Sequence, residues 1–189
     1  SQSAYDVVKP DGTIYRVFTS AINSDLYWTK SVDGGFSWSD PVLILAGTID
    51  GFSVWYDRWS GIDADQIHIA YMESATDDVW YRNLNAATDA LGTQVSVLAI
   101  TSNVVGANQC VSIVRARGGN IFVAFDTDGG TEKGFYRATS IGGAFAATLV
   151  PKIGAAGSVT LRLLFATVIL YAVARPSWRG RPRSAWVTV

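Results

Sequence analysis

Residues 31–38, "SVDGGFSW", combine the residue types of several kinds of functional site. The single carboxylate, Asp33, could ligate calcium, act in catalysis, or accept hydrogen bonds within a turn. One carboxylate supplies too few oxygen ligands for a calcium loop, and no Gly-Lys-Ser/Thr follows to complete a phosphate-binding loop. Gly34 and Gly35 permit positive φ angles, and a short carboxylate often accepts N–H groups of its own turn. We therefore interpret the stretch as a tight turn held together by Asp33.

A second stretch, "VWYDRWSG", places aromatic rings beside a carboxylate and a guanidinium. Exposed rings of this kind stack on sugars, and the charged groups between them hydrogen-bond hydroxyls. An alternative is that the first two aromatic residues belong to an apolar core between repeating units. Both interpretations stay open on sequence alone. The candidate ligand-binding residues are Trp55, Tyr56, Asp57, Arg58 and Trp59.

Metal and cofactor sites find little support in the sequence. The only histidine, His68, alternates with two isoleucines in an apolar strand, which predicts a packed core residue. One cysteine, Cys110, excludes an intrachain disulfide. Asp126–Glu132, "DTDGGTE", could hold a weakly bound calcium ion, but a plain hairpin turn is the favoured interpretation. We predict no metal and no cofactor.

Composition limits the partners that the chain can have. The 189 residues carry a formal net charge of −1, which argues against a nucleic-acid-binding protein. The apolar stretch Val159–Ala174 precedes a basic segment, as in a membrane anchor. Its uninterrupted part, Leu163–Ala174, has 12 residues, whereas a membrane-spanning helix needs about 20. We therefore do not expect a membrane partner.

The chain repeats itself with a period of about fifty residues. Ile14, Ile67 and Ile121 each precede an aromatic residue four positions on, and the isoleucines lie 53 and 54 residues apart. A looser copy, Ile169–Val173, begins 48 residues later. Apolar stretches flank each copy, joined by polar connections with Gly, Asp or Asn. This pattern is typical of short antiparallel strands.

The repeat predicts an all-β fold, a β-propeller of four-stranded antiparallel blades. Three full blades and a partial fourth are expected, as an open arc or as part of a larger propeller. Residues 1–189 would form one partial propeller, with blades at approximately 1–50, 51–104, 105–156 and an incomplete 157–189. No segment shows an apolar stripe of 3.6-residue period between helix caps, so little helix is expected.

The turn at residues 31–38 resembles the Asp-box, Ser/Thr-x-Asp-x-Gly-x-Thr/Ser-Trp/Phe, of the BNR repeats in sialidase-like propellers. It falls between the third and fourth predicted strands, where this family places the box. The third unit carries a degenerate copy, "ATSIGGAF", with Ile141 at the aspartate position. The resemblance implies a structural role, away from the ligand-binding face, and favours an extracellular, cell-surface or virion-surface protein. The box residues are Ser31, Asp33, Gly35, Ser37 and Trp38.

The same resemblance raises the question of sialidase activity. Family sialidases use three arginines, a tyrosine–glutamate nucleophile pair and an aspartate acid/base, and the first arginine lies in a Phe/Tyr-Arg-Ile-Pro motif. The nearest string here, "YRVF" at Tyr15–Phe18, has no proline, and no nucleophile–glutamate pair maps onto Arg58, Arg115 or Arg117. No catalytic residue is therefore assigned. We expect a non-catalytic glycan- or protein-binding module, with a partial or degenerate sialidase-type glycoside hydrolase as the alternative.

An arc of three blades and part of a fourth leaves blade faces and a strand edge uncovered. Exposed apolar faces and free edges promote association. We therefore expect self-association or additional blades, besides a glycan or protein ligand. A closed four-bladed ring is the competing arrangement, but "RPSWRGRPR" in the last unit is atypical of a blade.

Overall fold

The computed structural model describes residues 3–56, 65–73, 76, 78–99, 110–126 and 133–149. The chain divides into two compact units, Ser1–Pro151 and Lys152–Val189. The second unit, with the predicted strand at Ile169–Val173, lies outside the described residues. Every regular element in the described ranges is a β-strand, which confirms the all-β prediction there. None of the described residues belongs to a helix long and apolar enough to cross a membrane.

Thirteen strands in the described ranges form three antiparallel sheets that follow the chain order. The first sheet contains β1 Ala4–Val8, β2 Ile14–Thr19, β3 Leu26–Ser31 and β4 Val42–Leu45. The second contains β5 Ile49–Tyr56, β6 Gln66–Glu73, β7 Asp78–Asn85, β8 Ala90–Leu91 and β9 Val95–Leu98. The third contains β10 Cys110–Arg115, β11 Ile121–Asp126, β12 Lys133–Ala138 and β13 Ala146–Leu149. The strands predicted from the repeated isoleucine coincide with β2, β6 and β11.

The second sheet has five strands where four were expected. After β7 the chain turns through Ala86–Asp89, and Asp89 has a φ of 58°. This tight turn reverses the chain at once, so Ala90 and Leu91 pair with Asn85 and Leu84. The chain then continues to β9, which pairs with the other half of β7, at Val79–Tyr81. Two short strands therefore share the place of the predicted fourth strand.

Two hydrophobic cores join the three sheets in chain order. The first core packs side chains of the first sheet against the second, and the second core packs the second sheet against the third. β6 contributes to both cores and is buried on both faces, as its apolar sequence on both sides of the strand requires. Ile67 and Ile69 of β6 enter the first core, whereas Ala70 and Met72 enter the second.

The two end sheets bury opposite faces. β11 buries the face that carries Ile121 and Val123, starting from the repeated isoleucine. β2 buries the alternate residues Tyr15 and Val17, and the repeated Ile14 is only half-buried. Successive side chains of a strand point to opposite faces. The first sheet therefore contacts the second through the face that carries Tyr15 and Val17, and the third sheet contacts the second through the opposite face of its own strands. The other face of the first sheet, which carries Arg16 and Phe18, lies outside the first core.

Polar contacts supplement the first core. The Tyr15 hydroxyl lies 2.9 Å from the Ala86 carbonyl oxygen and 2.7 Å from Asp89 Oδ1 in the turn after β7. Burial, followed by the hydrogen bond to Asp89, raises the pKa of Tyr15 well above its usual value. Arg82 of β7 donates from Nη1 to the Ile44 carbonyl oxygen at 2.6 Å. These contacts connect the first sheet to the second at two separate places.

Ile67→Ala should lower the free energy of unfolding by about 2–5 kcal/mol, because the side chain is fully buried and truncation leaves a cavity. Urea unfolding followed by tryptophan fluorescence measures the change. Val32→Ala is the control, since Val32 is 75 % exposed and its truncation should change stability by less than about 0.5 kcal/mol. Equal effects of the two substitutions would contradict the packing described here.

Candidate functional site

The turn at Ser31–Trp38 is closed by its own side chains. Asp33 Oδ1 accepts the Ser31 hydroxyl at 2.7 Å and the Ser37 N–H at 2.9 Å, and Oδ2 accepts the Ser37 hydroxyl at 2.5 Å. The Gly35 N–H donates to Ser31 Oγ at 2.8 Å, and the Trp38 indole N–H donates to the Gly35 carbonyl at 3.1 Å. All of these bonds stay within the turn, which lies between β3 and β4.

The electrostatics of Asp33 agree with a structural role. Hydrogen bonds donated by the side chain and the backbone of Ser37, with a further one from Ser31, hold the pKa of Asp33 well below its usual range. The carboxylate is therefore ionised at neutral pH and its oxygens are occupied by donors of the same turn. An ionised carboxylate of this kind is a poor proton donor, and its oxygens already accept hydrogen bonds from Ser31 and Ser37.

The corresponding turn of the third sheet lies at 139–145 and uses a different interaction. Its Ile141, at the position of Asp33, packs against the second core, as does Phe145. The Gly143 N–H donates to the Ser140 carbonyl at 3.1 Å. The apolar contact therefore takes the place of the carboxylate that closes the first turn.

The predicted ligand-binding stretch at 55–59 is only partly described. Trp55 is half-buried against the second core, and its indole N–H is buried without a hydrogen-bond partner among the described residues. Tyr56 is half-buried against the first core. Asp57, Arg58 and Trp59 lie outside the described residues. The two described rings thus face opposite sides of the second sheet, so they do not form one common platform.

His68 is a core residue, as its sequence position predicts. It is fully buried, its Nδ1 lies 2.8 Å from the Tyr81 hydroxyl, and the two rings stack with centroids 6.0 Å apart. Burial lowers the pKa of His68 to about 4, because the interior disfavours the imidazolium. The residue is therefore neutral in the folded protein at physiological pH.

A groove of about 830 Å³ lies on the face of the first sheet that points away from the first core. We call this face the outer face; it carries Asp6, Arg16, Phe18 and Tyr27. The Phe18 and Tyr27 rings stack with centroids 6.0 Å apart, and Ile22, which is 95 % exposed, stands at the edge of the groove. The described lining residues are Ser3, Ala4, Arg16, Phe18, Thr19, Ser20, Ala21, Ile22, Tyr27, Thr29, Trp38 and Pro41.

An ion pair on the outer face holds the groove's guanidinium in place. Arg16 donates from Nε to Asp6 Oδ1 at 2.7 Å and from Nη2 to Asp6 Oδ2 at 2.8 Å. Its Cζ lies 4.5 Å from the ring centroid of Trp38. Bidentate pairing and stacking on an aromatic ring fix both the position and the orientation of a guanidinium. The hydrogen bond from Arg16 lowers the pKa of Asp6, so the pair is fully charged at neutral pH.

This ion pair is specific to the first sheet. Asp6 pairs across the strands with Arg16, and the equivalent cross-strand pairs are Val54–Ile69 in the second sheet and Ile113–Val123 in the third. Those aliphatic residues pack in the cores between sheets. Covering Arg16 and Asp6 with another apolar sheet would remove two charges from water at a high desolvation cost. The composition of the outer face therefore favours contact with solvent or with a polar ligand over contact with an apolar sheet.

Sequence reasoning missed most of this groove. It singled out Trp38 as part of the turn, Phe18 as the aromatic residue of the repeat and Arg16 only within the string "YRVF", and it assigned no binding role to these residues or to Asp6 and Tyr27. A signal was present in the repeat. Two positions after the repeated isoleucine, the first unit has arginine where the second and third units have isoleucine and valine. The exchange of an aliphatic residue for a charged one marks the face that differs from the other units.

Comparisons with known proteins give structural neighbours only. No protein-family model matches the chain, and no curated protein matches it. One solved structure, a polysaccharide lyase of family PL25, an ulvan lyase bound to a GlcA(1-4)Rha3S unit, aligns with a TM-score of 0.49 at 19% identity, over 76% of this chain and 42% of that one. A bifunctional GH43-CE protein of Bacteroides eggerthii aligns with a TM-score of 0.46 at 14% identity, over 76% of this chain and 18% of that one. The chain spans less than half the length of either neighbour.

Asp33→Ala should lower the melting temperature by several degrees, because the Ser31 and Ser37 hydroxyls and the Ser37 N–H lose their common acceptor. Circular dichroism melting measures the shift, and Asp40→Ala, an exposed carboxylate just beyond the turn, is the control. The lowered pKa adds a pH dependence. The contribution of Asp33 is present above about pH 4, the value of the unfolded chain, and is lost as the pH falls below it. A variant that melts like the parent at pH 7 would refute the structural role.

His68 should make the fold sensitive to acid. The unfolded chain takes up a proton near pH 6.5, but the folded chain does so only near pH 4. The free energy of unfolding should therefore fall by about 3 kcal/mol as the pH drops through this interval. His68→Gln, which can still hydrogen-bond Tyr81, should lose this part of the slope. Parallel pH profiles of parent and variant in urea unfolding would contradict the neutral, buried histidine.

Proposed function

We propose that this chain is a non-catalytic, propeller-type module that binds glycans in the groove on the outer face of its first sheet. The observation that carries the proposal is the composition of that groove. It combines half-buried aromatic side chains and one exposed aliphatic side chain, Ile22, with one oriented guanidinium. Sugar rings present apolar C–H faces beside hydroxyls, so they need both kinds of surface in one site.

The apolar part of the groove suits the face of a pyranose ring. Phe18 and Tyr27 form a continuous aromatic surface on neighbouring strands, and Ile22 offers a further apolar contact at the edge. The backbone of β2 and β3 holds the two rings, so little conformational entropy is lost when a ligand binds. Contiguous apolar surface with polar groups at its border is a feature of ligand-binding grooves.

The polar part of the groove supports binding rather than hydrolysis. The outer-face carboxylate Asp6 is committed to Arg16 by two hydrogen bonds, and its lowered pKa keeps it ionised. Glycoside hydrolysis needs a carboxylic acid that donates a proton and a second carboxylate opposite it. An ionised, paired carboxylate is a poor proton donor.

The propeller-type fold in this proposal is supported by the three observed sheets and by the sequence resemblance of the turn at Ser31–Trp38. Three antiparallel sheets that share cores in chain order agree with consecutive propeller blades, and the turn at Ser31–Trp38 has the internal bonding expected of an Asp-box. In this proposal the module is extracellular or surface-bound, and further blades or a second copy cover the remaining faces. The ligand site expected from sequence at Trp55–Trp59 stays a prediction, in which Trp55 and Tyr56 would contribute from opposite faces of the second sheet.

Phe18→Ala and Tyr27→Ala should each weaken glycan binding about tenfold, because each removes apolar area that the sugar would cover. A glycan array selects the ligand, and titration calorimetry measures the affinities. Phe122→Ala is the matched control, since Phe122 also stacks with an aromatic neighbour, Phe135, at 5.3 Å, but in the third sheet.

Three results would contradict the proposal. The first is an array without any bound glycan. The second is an equal loss of affinity in the Phe122→Ala control, which would locate binding elsewhere or indicate a general effect on folding. The third is turnover of a fluorogenic sialoside by the purified chain, which would favour a degenerate glycoside hydrolase instead.

A further inference from the structure

We infer that the groove on the outer face selects uncharged saccharides, built of neutral hexopyranose units, over acidic ones. This inference rests on the proposed function and adds the chemical class of the ligand. It is carried by the pairing of the groove's guanidinium with a carboxylate of the same sheet. A site for sialic or uronic acids would need an uncompensated cation instead.

The charge of Arg16 is neutralised before any ligand arrives. Asp6 takes two of its five N–H donors in a bidentate pair, with N–O distances of 2.7 and 2.8 Å. An incoming carboxylate would have to displace Asp6 or share the guanidinium with it, and two carboxylates in close proximity repel each other. Arg16 is also the only charged side chain among the described lining residues.

A second carboxylate lies close to the aromatic part of the groove. Asp25 accepts the Gly47 N–H at 2.8 Å through Oδ1, and the Tyr27 hydroxyl donates to its Oδ2 at 3.3 Å. Among the described residues in and next to the groove, the two carboxylates Asp6 and Asp25 thus accompany the one guanidinium of Arg16. An acidic sugar would therefore meet net repulsion, whereas a neutral sugar would not.

The paired groups keep the donors and acceptors that a neutral sugar uses. The N–H groups of Arg16 that Asp6 does not engage can donate to hydroxyl oxygens, and the carboxylate lone pairs of Asp6 can accept from hydroxyl groups. Trp38 beneath the guanidinium holds these groups in one orientation. A hydroxyl can both donate and accept, so it matches an ion pair in a way that a carboxylate cannot.

The ion pair is also not a requirement of the fold. The second and third sheets form the same strand pairing with Val54–Ile69 and Ile113–Val123 in its place. A pair of aliphatic side chains would therefore be compatible with the hairpin of the first sheet. The charged pair accordingly sets the ligand chemistry of this face rather than the geometry of the strands.

Matched saccharides test the inference. Glucose against glucuronate, and cellotetraose against β-(1,4)-linked tetraglucuronate, differ only at C6, where a carboxylate replaces a hydroxymethyl group, and titration calorimetry of the full chain measures each affinity. We expect the neutral member of a pair to bind at least about fivefold more tightly than the acidic one. The affinity for the neutral member should be nearly independent of salt, since no net charge is neutralised on binding.

Removing the compensating carboxylate should change this preference. Asp6→Asn leaves Arg16 unpaired and should raise the affinity for the acidic member of each pair about fivefold over the parent. Asp11→Asn changes the net charge equally but lies in the turn between β1 and β2, outside the groove, and should leave both affinities unchanged. Circular dichroism melting verifies that each variant is folded.

The outcomes separate this inference from the proposed function. Equal or tighter binding of acidic saccharides by the parent chain would overturn the inference, while glycan binding itself would stand. An unchanged preference in folded Asp6→Asn would likewise overturn the role of the ion pair. Failure to bind any saccharide, neutral or acidic, would overturn the proposed function together with the inference.

Discussion

The burial of β6 on both faces is the constraint on which the described part of this protein depends. A strand whose two faces are apolar is stable only when a sheet covers each face, and the first and third sheets supply these covers. Ile67 and Ile69 face one neighbour, and Ala70 and Met72 face the other. Burial of apolar area stabilises such a strand by roughly 25 cal/mol for each Å². The second sheet therefore determines the order in which the sheets pack.

The first and third sheets contact the second sheet through opposite faces of their strands, so the faces that they leave uncovered differ. The first sheet buries the face with Tyr15 and Val17 and leaves the face with Arg16 and Phe18 for other contacts. The other two sheets bury the equivalent of this outer face, and there the ion pair is replaced by aliphatic residues. A functional surface at this position is consistent with its charge, because charged pairs are costly to cover and inexpensive to leave in water.

The turns between the third and fourth strands of the first and third sheets are stabilised by different interactions. In the first sheet a carboxylate accepts N–H and O–H groups of its own turn, and in the third sheet an isoleucine packs on the core at the same position. The polar solution also holds Trp38 through its indole N–H, and Trp38 in turn supports Arg16. A turn that the sequence marks as structural thus also orients a side chain of the candidate binding groove.

The sequence by itself determined the class of the fold and the positions of the main strands. The repeated isoleucine located β2, β6 and β11, because strand alternation and turn residues are local properties. The bonding of the turn at 31–38 was predictable for the same reason. The extra strand β8 was not, since it depends on how the tight turn at Asp89 returns the chain to β7.

Only the tertiary structure decided which face of each strand is buried, because this depends on the sheet that packs against it. It also placed Trp55 and Tyr56 on opposite sides of one sheet, and brought Asp6, Arg16, Tyr27 and Trp38 together from three strands and a turn. No motif encodes that arrangement, because its members meet only through strand pairing.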